Sequence, residues 1–251
     1  MISDALRRRV GETEYAGIDP EYVTETRFGD FVSHPDFPDR YDANRLIRVR
    51  CEVGQLPMLL EELEALYQPS GLEYRKLSGY SPEVWEMLTP ALQDLGWGVW
   101  TDRVMLHRTP AARPTNPDVR IAAVPPTSPD PESLYTSDGT LDRGFELDRI
   151  RAPRIGGEYL VGYLNDRPAG CTGWFVHDGI ARFRHVYTEP WARGSGVAST
   201  LIRHVQDHPQ VVASDELAIL VGGGGPAALY EQLGFRDVML FWEAKTPPRP
   251  T

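Results

Sequence analysis

The chain has little cysteine and almost no lysine. Its two cysteines, Cys51 and Cys171, lie 120 positions apart. They make neither a disulfide framework nor a metal-ligand spacing, and a reducing cytoplasm is the natural expectation. Lys76 and Lys245 are the only lysines, and 36 acidic residues against 26 basic ones leave a formal charge of −10. That balance argues against a nonspecific nucleic-acid partner, though not against a local basic pocket for an anion. No apolar run is long enough to span a membrane. Arg7, Arg8 and Arg9 are followed by no apolar stretch, so the start reads as a solvated helix or a frayed end, not as a secretory signal. A Walker loop is missing, and so is a full G-x-G-x-x-G dinucleotide fingerprint. The six histidines are scattered. His204 and His208 are four apart but have no evident third ligand, so they read as surface residues and no metal is expected.

What is present suits a packed α/β protein. Hydrophobic residues are 41% of the 251, which allows one large domain or two small ones. Thr109 to Asp118 holds three prolines without apolar periodicity and reads as a linker. The boundary is expected near residue 112, giving domains 1–112 and 113–251. In the first, Asn44 to Cys51 alternates like a strand, and Leu56 to Tyr67 has helical spacing. Leu72 to Leu77 could be a strand. Pro82 to Leu95 is helical, with Ser81 as N-cap and Pro90 expected to kink or split it, and Val99 to His107 is a strand.

The second domain repeats that order. Ile180 to Thr188 is a strand, a helix opens after Gly194 and Gly196, Glu216 to Val221 is a strand, Pro226 to Leu233 a helix, and Val238 to Ala244 a strand. Strands Glu158 to Leu164 and Ala169 to Val176 precede these, joined by a four-residue loop, Asn165 to Pro168. The halves also share wording. Leu95-Gly96-Trp97 and Leu233-Gly234-Phe235 each end a helix, and Val-Met-Leu follows each, at 104–106 and 238–240. Together with the matching order, this points to duplication of one fold.

The segment His185 to Ala198, HVYTEPWARGSGVA, reads strand, tight turn, helix. The first turn of a helix has unpaired N–H groups and the positive end of the helix dipole. Gly194 and Gly196 remove side chains that would hold a diphosphate away from those amides, and Ser195 adds little bulk and a hydroxyl. Further on stands Leu229-Tyr230-Glu231-Gln232-Leu233-Gly234-Phe235.

The turn and this helix end, in this order, resemble the GNAT superfamily of acyl-CoA-dependent N-acyltransferases over about residues 119 to 245. The resemblance implies a GNAT fold in the C-terminal half, with a degenerate GNAT-like N-terminal half that lacks the cofactor turn and has Leu92 where Tyr230 stands. It implies acetyl-CoA as donor, with its diphosphate on Arg193, Gly194, Ser195, Gly196, Val197 and Ala198, and its pantetheine arm along Val186, Tyr187 and Thr188. Tyr230 would protonate the departing thiolate, and an amine of a small molecule or peptide would attack directly. Two departures stand out. Gly223 occupies the place of a frequent asparagine, and Pro226 that of a small helical residue. The four glycines 222–225 are expected to make this loop mobile.

No general base is evident. Arg182 stands where some members carry a glutamate, and His185, Glu189 and Glu158 are alternatives beside a water chain. Arg182 and Arg184 share a strand face with Val186 and Thr188, and read either as a carboxylate or phosphate clamp or as a solvated strand start. Two other functions compete with the enzyme. A non-catalytic acyl-CoA-binding regulatory module would suit the missing base but not Tyr230. An aminoacyl-tRNA-dependent transferase would not need the diphosphate turn.

Overall fold

Apolar period and glycine or proline punctuation mark out most of the elements. The structure, a computed structural model, describes residues 2–38, 40, 42–52, 54–70, 72–109, 114–124, 154–222 and 226–247. Among these residues the helices are α1 (Asp4–Glu12), α2 (Leu56–Tyr67), α3 (Pro82–Asp94), α4 (Val197–Gln206), α5 (Pro209–Val212) and α6 (Ala227–Gln232). The strands are β1 (Val23–Thr26), β2 (Gly29–Ser33), β3 (Asn44–Ile47), β4 (Lys76–Gly79), β5 (Gly98–His107), β6 (Val119–Ala123), β7 (Glu158–Leu164), β8 (Arg167–His177), β9 (Ile180–Thr188), β10 (Glu216–Val221) and β11 (Phe235–Lys245). The expected boundary at residue 112 and the glycines at 223–225 lie outside the described residues. No helix among the described residues is long and apolar enough to cross a membrane.

Several expectations shift. Helix α3 runs unbroken through Pro90. A proline inside a helix costs about 3 kcal/mol, but Trp85, Leu88 and Leu92 are buried to 1% or less. Each contributes about 1.5–3 kcal/mol, enough to hold the helix together. Strand β4 lies later than 72–77, because its register follows β11, with Leu77 opposite Ala244 and Gly79 opposite Trp242. The β7–β8 hairpin turns on Asn165 and Asp166 alone, both in the left-handed region at φ 52° and 58°. This is the geometry that two-residue hairpins favour. His204 and His208 do not share a helix, since α4 ends at Gln206 and His208 caps α5, accepting from the Gln210 N–H. No group of three metal-ligating side chains occurs among the described residues.

The chain divides into two units, neither continuous in sequence. The companion unit comprises Ile2–Gly11, Ile18–Arg103 and Met239–Thr251. Its strands run β1-β2-β3-β4, followed by the last part of β11 and the first part of β5. β1, β2 and β3 form an antiparallel meander, and β4 lies parallel to β3. The core gathers Leu59, Leu63 and Tyr67 of α2, Trp85, Leu88 and Leu92 of α3, and Phe31, Leu46 and Leu77 of the sheet.

The turn-bearing unit comprises Glu12–Gly17 and Val104–Val238. Its strands run β6-β7-β8-β9-β10, followed by the last part of β5 and the first part of β11. β6 to β9 are antiparallel neighbours, and β10 lies parallel to β9. Helix α4 covers this sheet with Leu201, Ile202 and Val205, all fully buried in a core that includes Leu160, Trp174, Phe183 and Phe235.

Candidate functional site

The site begins where two parallel strands part. β10 registers with β9 only from Ile180 to Arg182. On the other side of β9 the pairing with β8 slips between Cys171 and Gly173, and His185 takes φ 44°. The bulge turns the end of β9 away, so Val186, Tyr187 and Thr188 are half-buried beside an open cleft. A cavity of about 540 Å³ fills that cleft.

The turn after β9 forms one wall. Pro190–Ala192 makes a short 3-10 turn, and Gly194 and Gly196 then take φ 82° and 86°. Those conformations are costly for any residue with a Cβ. Gly196 is the N-cap of α4 and offers no side chain to cap it. The helix's own bonds start with the Thr200 N–H to Gly196, so the first-turn N–H groups of Val197, Ala198 and Ser199 have no helical acceptor. All three residues line the cavity, together with Arg193, Gly194 and Gly196. The Arg193 Nε bonds the Thr188 carbonyl at 3.4 Å, which ties the turn back to β9.

Ser195 does not line the cavity. Its hydroxyl donates to the Ala192 carbonyl, as does its N–H, so it shapes the turn from within. Asn116 holds the turn from outside. Its Nδ2 donates to the Ser195 carbonyl at 2.7 Å, and its N–H donates to the Thr200 hydroxyl at 2.8 Å. Sequence reasoning passed over Asn116 as linker. The available signal was Asn116-Pro117-Asp118, whose asparagine side chain accepts the Asp118 N–H in a local turn.

Helix α6 supplies the opposite wall through Pro226, Leu229 and Tyr230. Tyr230 is 5% exposed, with its ring edge-on to Phe235. Burial pushes its phenol up to about 12. Among the described residues its hydroxyl has no hydrogen-bond partner, so it is not spent on a structural acceptor.

The structure thus brings Val186, Tyr187, Thr188, Arg193, Gly194, Gly196, Val197, Ala198 and Tyr230 to one cavity. The alternatives for a base do not join them. His185, Glu189 and Glu158 are absent from its wall, which carries no carboxylate or imidazole among the described residues. Arg182 and Arg184 are neither a clamp nor solvated. Arg182 is 1% exposed, and both bond the Glu14 carboxylate, with Thr13 accepting a further bond from Arg182. A residue from the far N-terminus therefore completes this unit, a pairing that no sequence spacing signals.

Such a cleft suits an anionic, extended ligand. Uncapped helix amides face one end, the part of β9 beyond its pairing with β10 runs along the side, and a protonated phenol stands at the other wall.

Residues 156–237 match the family model described as an acetyltransferase (GNAT) domain. No curated protein sequence matches the chain significantly. Among solved structures, the GCN5-related N-acetyltransferase from Kribbella flavida superposes with a TM-score of 0.69 at 15% identity, covering 98% of this chain and 97% of that one. A conserved protein of unknown function from Staphylococcus epidermidis ATCC 12228 gives 0.69 at 16% identity, covering 91% and 94%. A tandem GNAT protein from the clavulanic acid biosynthesis pathway gives 0.53 at 14% identity, covering 80% and 73%. Residues 156–237 thus match a GNAT acetyltransferase domain, within a mixed α/β chain whose fold follows that of a GCN5-related N-acetyltransferase along nearly its whole length.

Proposed function

We propose that this protein is an N-acetyltransferase that moves an acetyl group from acetyl-CoA to an amine of a small molecule or peptide by direct attack. Acyl transfer lies with the C-terminal half, and the N-terminal half supports it without a cofactor turn of its own. Acetyl-CoA supplies an activated thioester. The N–H groups of Val197, Ala198 and Ser199, with Gly194 and Gly196 leaving room for close approach, would hold its diphosphate. The backbone of Val186 to Thr188, turned out by the bulge at His185, would hold its pantetheine arm.

Tyr230 carries the reading. The residue lines the cavity, and its hydroxyl lacks a partner among the described residues and keeps its proton well above neutral pH. A group in that state can donate a proton to a leaving thiolate as charge develops on sulfur. Deprotonation of the attacking ammonium falls to water, since the described wall offers no base. The same lack favours the second reading, an acyl-CoA-binding regulatory module without turnover.

Thiol release from acetyl-CoA, measured across a panel of small and peptide amines, tests the proposal. At least one amine is expected to raise the rate well above acceptor-free hydrolysis. Tight acetyl-CoA binding with no amine-dependent release across the panel contradicts turnover and supports the binding module.

A further inference from the structure

The companion unit contains a cavity that acyl transfer does not use. It holds about 530 Å³ and opens among Arg27, Arg48, Arg50, Cys51, Gln55 and Ser81. It lies past the ends of β3 and β4, the parallel pair of that unit, where α2 and α3 begin. Openings at the C-terminal ends of parallel strands are where open α/β sheets take their ligands.

Three observations give this opening a preference for anions. The first is charge. In a chain of net charge −10, three guanidiniums gather here. Arg48 bonds Asp30 at 2.7 Å, while Arg50 reaches the same carboxylate only at 3.7 Å. Arg27 pairs with no carboxylate among the described residues, and lies against the Met58 sulfur and the Phe28 ring. Glu52 is the acidic residue on the wall, so cationic groups outnumber it.

The second is the state of the helix starts. Gln55 and Ser81 are the N-caps of α2 and α3, and neither side chain caps its helix. The Gln55 Oε1 instead accepts the Glu52 N–H at 2.9 Å, and the Ser81 hydroxyl donates to the Glu83 carboxylate. Pro57 and Pro82 carry no N–H, so the first-turn donor on this cavity wall without a side-chain cap is that of Val84 in α3. The third is backbone strain. Arg48 holds φ 51°, which costs a non-glycine residue about 1–2 kcal/mol. It ends β3 and sends Val49 to Glu52 along the cavity wall.

This opening differs in kind from the cleft of the other unit. Arg48 to Gln55 contains no counterpart of the RGSGVA turn. Arginines, not glycines ahead of a helix, line the opening, and guanidinium forks grip phosphate and carboxylate groups in bidentate fashion. We propose that the companion-unit cavity is a second ligand site, which binds a small polyanion of phosphate or polycarboxylate chemistry separately from the turn cavity.

The test uses the full chain with CoA in excess. Inorganic pyrophosphate and citrate are titrated in by calorimetry, and N-ethylmaleimide labelling of Cys51 is followed by peptide mass spectrometry. Cys51 lines the cavity, whereas Cys171 is buried elsewhere and serves as reference. At least one of the two anions is expected to bind at one site and to slow Cys51 labelling severalfold. The preferred anion identifies the chemistry. Arg27→Gln with Arg50→Gln, both at exposed positions, should weaken binding at least tenfold with the circular dichroism spectrum unchanged. Ala198→Glu, in the other unit, should leave it unchanged, which separates this result from any failure of the acyl-CoA assignment. Absence of binding by both anions overturns the proposal. So does displacement by CoA, protection of Cys51 by CoA itself, or binding that survives the double arginine variant.

Discussion

The two units share a succession of elements and differ in what faces the opening. Each has an antiparallel meander, a strand parallel to the last of it, a helix between them and a helix after. Each has a left-handed non-glycine residue on the strand that leads to its opening, Arg48 at φ 51° just after β3 and His185 at φ 44° within β9. Each stops its second helix on a left-handed glycine, Gly96 and Gly234. Beyond that the units part. One opens onto glycines and bare helix amides, the other onto arginines. One sets Tyr230 on its cavity wall, while the other sets Leu92, fully buried, in its core. The fold is common to both, and the chemistry lies in a few side chains and two glycines.

The closing strands teach a second lesson. In the companion unit the neighbour of β4 is the end of β11, and in the turn-bearing unit the neighbour of β10 is the end of β5. Each unit is thus closed by a strand that follows the helix of the other half in sequence. Function can divide by halves of the chain while folding does not.

The largest expected effect tests that interdependence. Glu14→Ala removes the carboxylate that Arg182 and Arg184 share inside the turn-bearing unit. Arg182 is buried there, so the loss should be about 3–5 kcal/mol, read as a fall in the urea midpoint. The comparable change in the companion unit, Glu243→Ala, should cost less, because Lys76 keeps Asp42 at 2.8 Å. An equal or larger loss at Glu243 would break the contrast.

Next comes Tyr230→Phe, which keeps the ring against Phe235 and removes the hydroxyl. Turnover should fall by roughly ten- to a thousandfold, with acetyl-CoA affinity little changed. A lower melting temperature with full turnover per folded molecule would mark a purely structural tyrosine. Since burial raises the phenol from 10.0 to about 12, its proton stays in place as pH rises past the ordinary tyrosine value. Turnover of the wild type should therefore show no loss near pH 10 from deprotonation of this group.

The smallest effect is the most discriminating. Gly194 and Gly54 both hold left-handed φ, at 82° and 87°, and a Cβ at either would meet nothing within 4 Å. Alanine at either should cost a similar strain of about 1 kcal/mol. Only Gly194→Ala should also weaken CoA binding, measured by calorimetry, since only Gly194 lines the turn cavity.

The sequence made the turn, α2 and α4 legible because their signals are local. Glycines at 194 and 196 and leucines at helical spacing act within a few residues. Of the residues that the family-like pairing of turn and Tyr230 named, all but Ser195 line one cavity, whose wall also includes Ala192, Ser199, Pro226 and Leu229. The arginine run, read as a helix or a frayed end, lies in α1, whereas β1 and β2 escaped because they are short and have little apolar period to read. The register of β4 escaped because β11 sets it from about 165 residues away. The fate of Arg182 escaped for the same reason: Glu14 lies far off in sequence, and an arginine on a strand does not announce its partner.

The central claim is that one of two similar units takes the acyl donor on an uncapped helix start. Calorimetric titration of acetyl-CoA into the wild type and into Ala198→Glu tests it most directly. Ala198 lies in the first turn of α4, lines the cavity and needs no left-handed backbone, so the variant keeps the fold while placing a carboxylate among the bare amides. The account predicts one molecule bound per wild-type chain, and binding at least tenfold weaker in the variant, a loss of about 1.4 kcal/mol or more. Two molecules per chain, or a variant that binds as the wild type does, would contradict it.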